Sequence, residues 1–122
     1  MSQQLPVSGL PPVSAKRPAP PKVPAVHVGE VRFEQAKLSR KEANGGQRCG
    51  YLAAYRGDTD ELLWRVRVYD VTFDPHLEGD VQDVYFSAMS LSADGRQILV
   101  DNEDGGRYAV EIHGDHAVHA RH

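Results

Sequence analysis

Trp64, Val66 and Val68 alternate with Arg65, Arg67 and Tyr69. Successive side chains of an extended strand point to opposite faces. This spacing therefore puts the indole and two valines on one face and both guanidinium groups on the other. An α-helix would mix the two sets, and Val-rich sequence disfavours it. The segment from Leu62 to Val71 is thus a strand with one face to bury. A single open sheet with one apolar face needs a second layer.

The rest of the chain from Val26 onward repeats the theme in shorter runs. Val26, Val28, Val31 and Phe33 read as a strand with a bulge or bend at Gly29. Tyr51–Tyr55, Val84–Leu91, Ile98–Val100 and Arg107–Ile112 read as further strands, the last with Tyr108, Val110 and Ile112 on one face. Asp94-Gly95, within Ser92–Arg96, and Asp104-Gly105-Gly106 mark hairpin turns. Asp-Gly suits a two-residue turn with positive φ at both positions. Between Lys37 and Arg48 the chain is polar and ends in Asn44-Gly45-Gly46, which predicts a loop. Ser39 and Glu42, three residues apart, can cap a short helical turn over Leu38–Ala43. Asp70 to Asp83 mixes acids with Pro75, His76 and Gly79 and reads as a long loop.

About six strands joined in sequence by turns give a mainly β fold, an antiparallel β-meander. Its apolar face, from Trp64, Val66, Val68, Phe86, Ile98, Val100, Tyr108 and Val110, is covered in one of three ways. The sheet curls into a small barrel or sandwich, pairs with another copy, or docks on a partner. The expected organisation is a disordered Pro-rich tail over residues 1–25, a β domain over 26–113 and a His-rich tail over 114–122. Seven of the eight prolines lie before Val26, and such a segment cannot bury enough apolar surface to offset its ordering entropy. Pro18-Ala-Pro20-Pro21-Lys22 is compatible with polyproline II recognition, but the motif is short and common and a spacer is the expectation.

Charge and composition exclude several classes. Residues 1–28 carry Lys16, Arg17 and Lys22 and no acid, so the remainder carries 11 basic and 17 acidic residues, a net −6. An acidic domain is a poor match to a nucleic-acid backbone, so no nucleic-acid partner is expected. No run reaches the ~18–20 apolar residues that span a bilayer, so no membrane partner is expected, and the composition is that of a cytoplasmic protein. The lone Cys49 excludes a disulfide framework within one chain and a Cys-based zinc cluster.

Two pieces of the meander are familiar. Ala54-Tyr-Arg-Gly-Asp-Thr59-Asp-Glu-Leu-Leu63-Trp64 resembles the repeat of quinoprotein-type β-propellers, matching in spacing at Ala54, Thr59 and Trp64. Arg56 stands where that repeat prefers Asp, and Asp60 where it prefers Gly. Leu91-Ser-Ala-Asp-Gly95-Arg-Gln-Ile-Leu-Val100, followed by Asp104-Gly105, resembles a strand pair of a propeller blade. From Gly50 to Ile112 the chain is also similar to short bacterial proteins that look like a single blade with an insert, here Asp80-Val81-Gln82-Asp83-Val84. The resemblance implies blade-like strand geometry and carries over no catalytic residue. A propeller closes from typically ~4–8 blades, and the sequence shows no internal repeat, so no quinone or other cofactor is expected.

Three constellations bear on chemistry. The acids Asp70, Asp74, Glu78, Asp80 and Asp83, preceded by Asp58, Asp60 and Glu61, form an acidic segment. Their spacing does not fit an EF-hand loop. The expectation is a solvated edge or a surface for a basic protein partner. His113, His116, His119 and His122 recur every three residues with Asp115 among them, a set that could ligate a divalent transition metal. Against that stands a terminus with adventitious affinity. Cys49 sits beside Arg48, which would lower a thiol pKa, but no His is close in sequence and no nucleophile elbow exists. An inert, partly buried thiol is the expectation. With no acid–base or nucleophile set assembled, the function read from sequence is a non-enzymatic protein-interaction module, with an unknown protein partner or a homo-oligomer. The alternative is a metal-binding protein using the histidine set or the Asp70–Asp83 loop.

Overall fold

The structure is a computed structural model that describes residues 23–71 and 83–121. Val26–Val28 (β1), Val31–Ala36 (β2), Tyr51–Arg56 (β3) and Leu62–Arg67 (β4) form one antiparallel sheet in the order β1-β2-β3-β4. Phe86–Leu91 (β5), Gln97–Asn102 (β6), Arg107–Glu111 (β7) and Val118–Ala120 (β8) form a second, in the order β5-β6-β7-β8. A single four-residue helix, Arg40–Ala43 (α1), is the helical element among the described residues. The fold is mainly β, as the alternation implied. The meander, however, breaks between β4 and β5 into two sheets rather than running on as one, and the described strands do not close into a barrel.

The two sheets are each other's second layer. Phe33, Leu52, Ala54 and Val68 from the first half cluster with Phe86, Ile98, Val100, Val110 and Ile112 from the second, and all of them are buried. The registers explain which residues turn inward. Phe33 lies opposite Ala54, and Ala54 opposite Trp64. Ile98 lies opposite Val110, and Val100 opposite Tyr108. Period-two alternation then carries Leu99, Asp101, Arg107 and Ala109 to the outer face.

Among the described residues eight strands replace the six expected. What reads as one strand with a bend at Gly29 is a hairpin. Val28 pairs with Val31 and Gly29 has φ 60, so glycine occupies the first central position of a tight two-residue turn. The eighth strand lies in the His-rich segment, where β8 pairs with β7 through Ala109↔His119 and Val110↔Val118. Of the stretch expected to be disordered, residues 1–22 lie outside the described residues, and Val23 packs against the core.

Local chemistry sets the ends of the elements. Ser39 and Glu42 form the reciprocal capping box that their spacing implied, and Asn44 closes α1 in the left-handed region at φ 50. The Asp94-Gly95 turn is not a two-residue loop. Leu91 pairs with Ile98, the Gly95 N–H donates to Ser92 O, and only Gly95 of the pair has positive φ, at 73. The loop is built on a single turn, closed by Ser92 and Asp94 side-chain bonds to the Gln97 and Arg96 N–H groups. The strand expected from Val84 begins at Phe86, because the Val84 N–H donates to Cys49 Sγ (3.1 Å) and the Tyr85 N–H to Glu103 Oε1 (2.9 Å). The strand expected to reach Val71 ends at Arg67. Tyr69, placed by alternation on the arginine face, is buried instead. Its ring stacks on Tyr108 at 5.4 Å, and its hydroxyl donates to Val84 O at 2.5 Å.

The same contacts tie both ends of the Asp70–Asp83 connection to one place. Buried Gln47 donates through Nε2 to Cys49 O and Tyr69 O, both at 2.7 Å, and accepts from the Val71 N–H at 2.9 Å. Its three polar bonds are satisfied within the protein, as a buried amide requires.

Candidate functional site

The acids singled out in the sequence fall into unlike settings. Asp74, Glu78 and Asp80 lie outside the described residues. Asp70 pairs with Arg67 at 3.2 Å, and its side chain is 89% exposed. Asp83 is nearly buried, with a side chain 10% exposed. It pairs with Lys37 at 3.1 Å and accepts from the Tyr85 hydroxyl at 2.9 Å. Lys37 also donates to the Tyr85 hydroxyl at 2.9 Å. Burial lowers the Lys37 pKa, but the bonds to Tyr85 and Asp83 outweigh it and hold the ammonium above the ordinary lysine value. Burial likewise raises the Tyr85 phenol. Asp83 therefore links the two sheets and is not an exposed docking group. Sequence position had grouped it with its neighbours; burial separates it.

The histidines are likewise separated by the hairpin that carries them. His116 stacks against Trp64 with 3.7 Å between ring centroids and 13° between planes, and its Nδ1 lies 3.2 Å from Glu111 O. His119, on β8, places Nε2 3.3 Å from Glu111 Oε2. His113 is exposed, and His122 lies outside the described residues. Among the described residues no group of three or more His, Cys, Asp or Glu side chains is placed to hold a metal ion.

Cys49 is buried, and burial pushes its thiol up to about 11. Arg48 does not oppose this, because its Nε donates to Leu38 O at 2.9 Å. A thiol raised this far stays protonated near neutral pH, and the protonated form is the poor nucleophile.

What remains, among the described residues, is the set of sheet edges, four in two open sheets. An edge strand presents unpaired N–H and C=O groups, and proteins blunt such edges by shortness, charge or bulges. β1 and β8 are three residues each. β4 carries Arg65 and Arg67 and a bulge where Ala54 and Tyr55 meet it. β5 is six residues long and reads Phe-Ser-Ala-Met-Ser-Leu, without a charge. Its first N–H is taken by Gln35 Oε1 of β2 at 2.7 Å, and a register shift lies between Phe86 and Ala88. Beyond that point Ala88, Ser90 and Leu91 are exposed, Leu91 at 39%.

A cavity of about 280 Å³ opens beside this strand on the outer face of its sheet. Ala88, Met89, Ser90 and Leu99 line it. Asp101, Arg107 and Arg121 supply its charge. Arg121 reaches it from beyond β8, bonding Asp101 through Nη2 and Tyr108 O through Nε at 2.9 Å. Arg107 stands 3.7 Å from the same Asp101 oxygen. Two guanidinium groups thus share one carboxylate, leaving the cavity one positive charge. The uncharged run from Val84 to Ala93 was visible in the sequence; the meeting of Asp101 with Arg121 was not, because it depends on β8.

No helix among the described residues is long and apolar enough to cross a membrane. Comparison with protein-family models, with curated proteins and with solved structures finds no match.

Proposed function

We propose that the protein is a non-enzymatic interaction module whose docking element is the edge of β5 beyond its contacts with β1 and β2. The observation that carries this reading is the contrast among the four edges. Two are short, one is charged, and β5 combines length, absence of charge and exposure at Ala88, Ser90 and Leu91. Main-chain groups on such an edge give affinity for an added strand, and the side chains flanking it give specificity. Part of the proposal is that the strands from Gly50 to Ile112 keep blade-like geometry, as the resemblance to a single propeller blade implies. The direct pairing of Ala54 with Trp64, and the Thr59 hydroxyl bonds that close the turn between them, support that likeness.

The test is an affinity capture from source cells using the full chain and an Ala88→Lys/Ser90→Lys variant whose strand content is checked by circular dichroism. The proposal expects partners of the wild type to be lost from the variant and kept by Asp70→Lys. Equal recovery by the wild type and the edge variant would remove β5 from the account. Loss with Asp70→Lys alone would move the interface to the acidic connection.

A further inference from the structure

We infer that the segment β5 takes up is acidic: an extended stretch of a partner protein adds as a fifth strand, with an Asp or Glu side chain directed across Ala88 and Ser90 toward Arg107 and Arg121. The inference rests on the reading of β5 as the docking edge and adds the chemistry of what docks there.

Register gives the geometry. Ala88 lies opposite Asp101, which lies opposite Arg107, so these three form one row across the outer face. Ser90 lies opposite Leu99 in the neighbouring outward row. A strand added beside β5 runs about 4.8 Å from it, and its outward side chains continue these rows. Ala88 and Ser90 are too small to fill the space above them. A carboxylate on the added strand can therefore lie over them into the cavity, toward the Arg107 and Arg121 guanidinium groups that converge on Asp101.

Charge decides which side chain fits. The shared Asp101 neutralises one of the two guanidinium groups. The other acid of this face, Glu111, is engaged by Gln97 Nε2 at 2.6 Å and by His119 at 3.3 Å. An incoming carboxylate meets a local excess of positive charge and planar guanidinium donors suited to it. An incoming Lys would add a third cation beside Arg107 and Arg121. The inward-facing positions of the added strand would lie alongside Met89 and the exposed Leu91, so the favoured segment alternates apolar and acidic residues. A second copy's β5 is a poorer occupant, because it carries no acid for the arginines.

The experiment is an amide-resolved NMR titration of the full chain with three blocked octapeptides, Thr-Val-Thr-Val-Glu-Val-Thr-Val and its Gln and Lys versions. The inference expects the Glu peptide to shift the Ala88–Leu91 amides and to bind roughly fivefold tighter than the Gln peptide. That advantage should vanish in Arg107→Gln and shrink in high salt in the wild type. The salt arm stands whether or not the variant folds. Equal binding of Glu and Gln peptides on β5, unmoved by salt, overturns the acidic inference and leaves the docking edge intact, as does tighter binding of the Lys peptide. Absence of any shift on β5 with all three peptides overturns both. A wild-type dimer by light scattering that Ser90→Lys converts to monomer also overturns the inference, by placing a second copy on the edge.

Discussion

The imidazole of His116 lies flat on the indole of Trp64, with 3.7 Å between centroids and 13° between planes. One ring belongs to β4 of the first sheet and the other to the turn that leads into β8 of the second. On its other side Trp64 meets Phe33 at 5.7 Å. The sequence placed Trp64 in the core. The structure puts it at the core's margin, half-buried, where it joins the ends of two edge strands.

That position sets the size of its effect. Trp64→Ala should cost about 2–3 kcal/mol, at or below the ~3–5 kcal/mol typical of a core aromatic. His116→Ala should cost about 1 kcal/mol, the scale of one aromatic pair. Because Trp64 is the chain's single Trp, His116→Ala should also change its emission in the native state. Urea melts monitored by circular dichroism and by Trp emission check both. A His116→Ala variant with unaltered emission would mean that the stack does not form.

Asp83 and Asp70 make an internal comparison. Asp83→Asn removes the Lys37 pair and disturbs the Tyr85 bond in a nearly buried setting, and should destabilise by about 2 kcal/mol. Asp70→Asn removes an exposed pair and should stay within about 0.5 kcal/mol of wild type. Denaturant midpoints of the two variants give the answer. Equal effects would mean that Asp83 is not held as described.

Cys49 predicts an alkaline limit to stability. Its folded pKa of about 11 lies above the ordinary thiol value, so the unfolded chain loses this proton first. Above the unfolded pKa the native state binds more protons than the unfolded one, and stability falls with pH. The contribution is complete below about pH 9 and declines by up to ~1.4 kcal/mol per pH unit until about pH 11. Burial of Tyr69 raises its phenol as well and steepens the decline above pH 10. Cys49→Ala should flatten the 9-to-11 segment in a series of urea melts. At pH 8 the native thiol should resist alkylation, and it should react once denaturant is added.

Among the described glycines Gly50 is the one least able to take a side chain. It has φ 89, and a Cβ there would stand 2.7 Å from Gln47 Nε2 and 3.1 Å from Tyr69 O. Gly50→Ala should therefore cost more than about 2 kcal/mol, from strain plus disruption of the Gln47 bonds. Gly95→Val meets open space and pays mainly for its φ of 73, so about 1–2 kcal/mol is expected. Thermal melts of the two variants should preserve that order.

Much of this fold is written locally. Alternation over Trp64–Val68, the Ser39/Glu42 spacing and the glycine-bearing turns each act within a few residues, and the structure follows them. The break between the sheets is not local. It depends on Gln47, Cys49, Tyr69 and Val84 meeting across the Asp70–Asp83 connection, at separations that no periodic pattern encodes. β8 was hidden for a related reason. Val118-His-Ala120 is too short to read as a strand, and it pairs only because β7 supplies a register. The candidate site shared this split: the strand was legible, but its place at an edge depended on the break between the sheets, and the Arg107–Asp101–Arg121 set required β8 to bring Arg121 back over the sheet.

The most direct test of the central claim is site-specific photo-crosslinking in source cells. A benzophenone side chain at Ser90, on the exposed edge of β5, should capture the partner, while the same group at Arg65 on β4 or His119 on β8 should not. Adducts from Arg65 or His119 with none from Ser90 would contradict the account and place the interface on another edge.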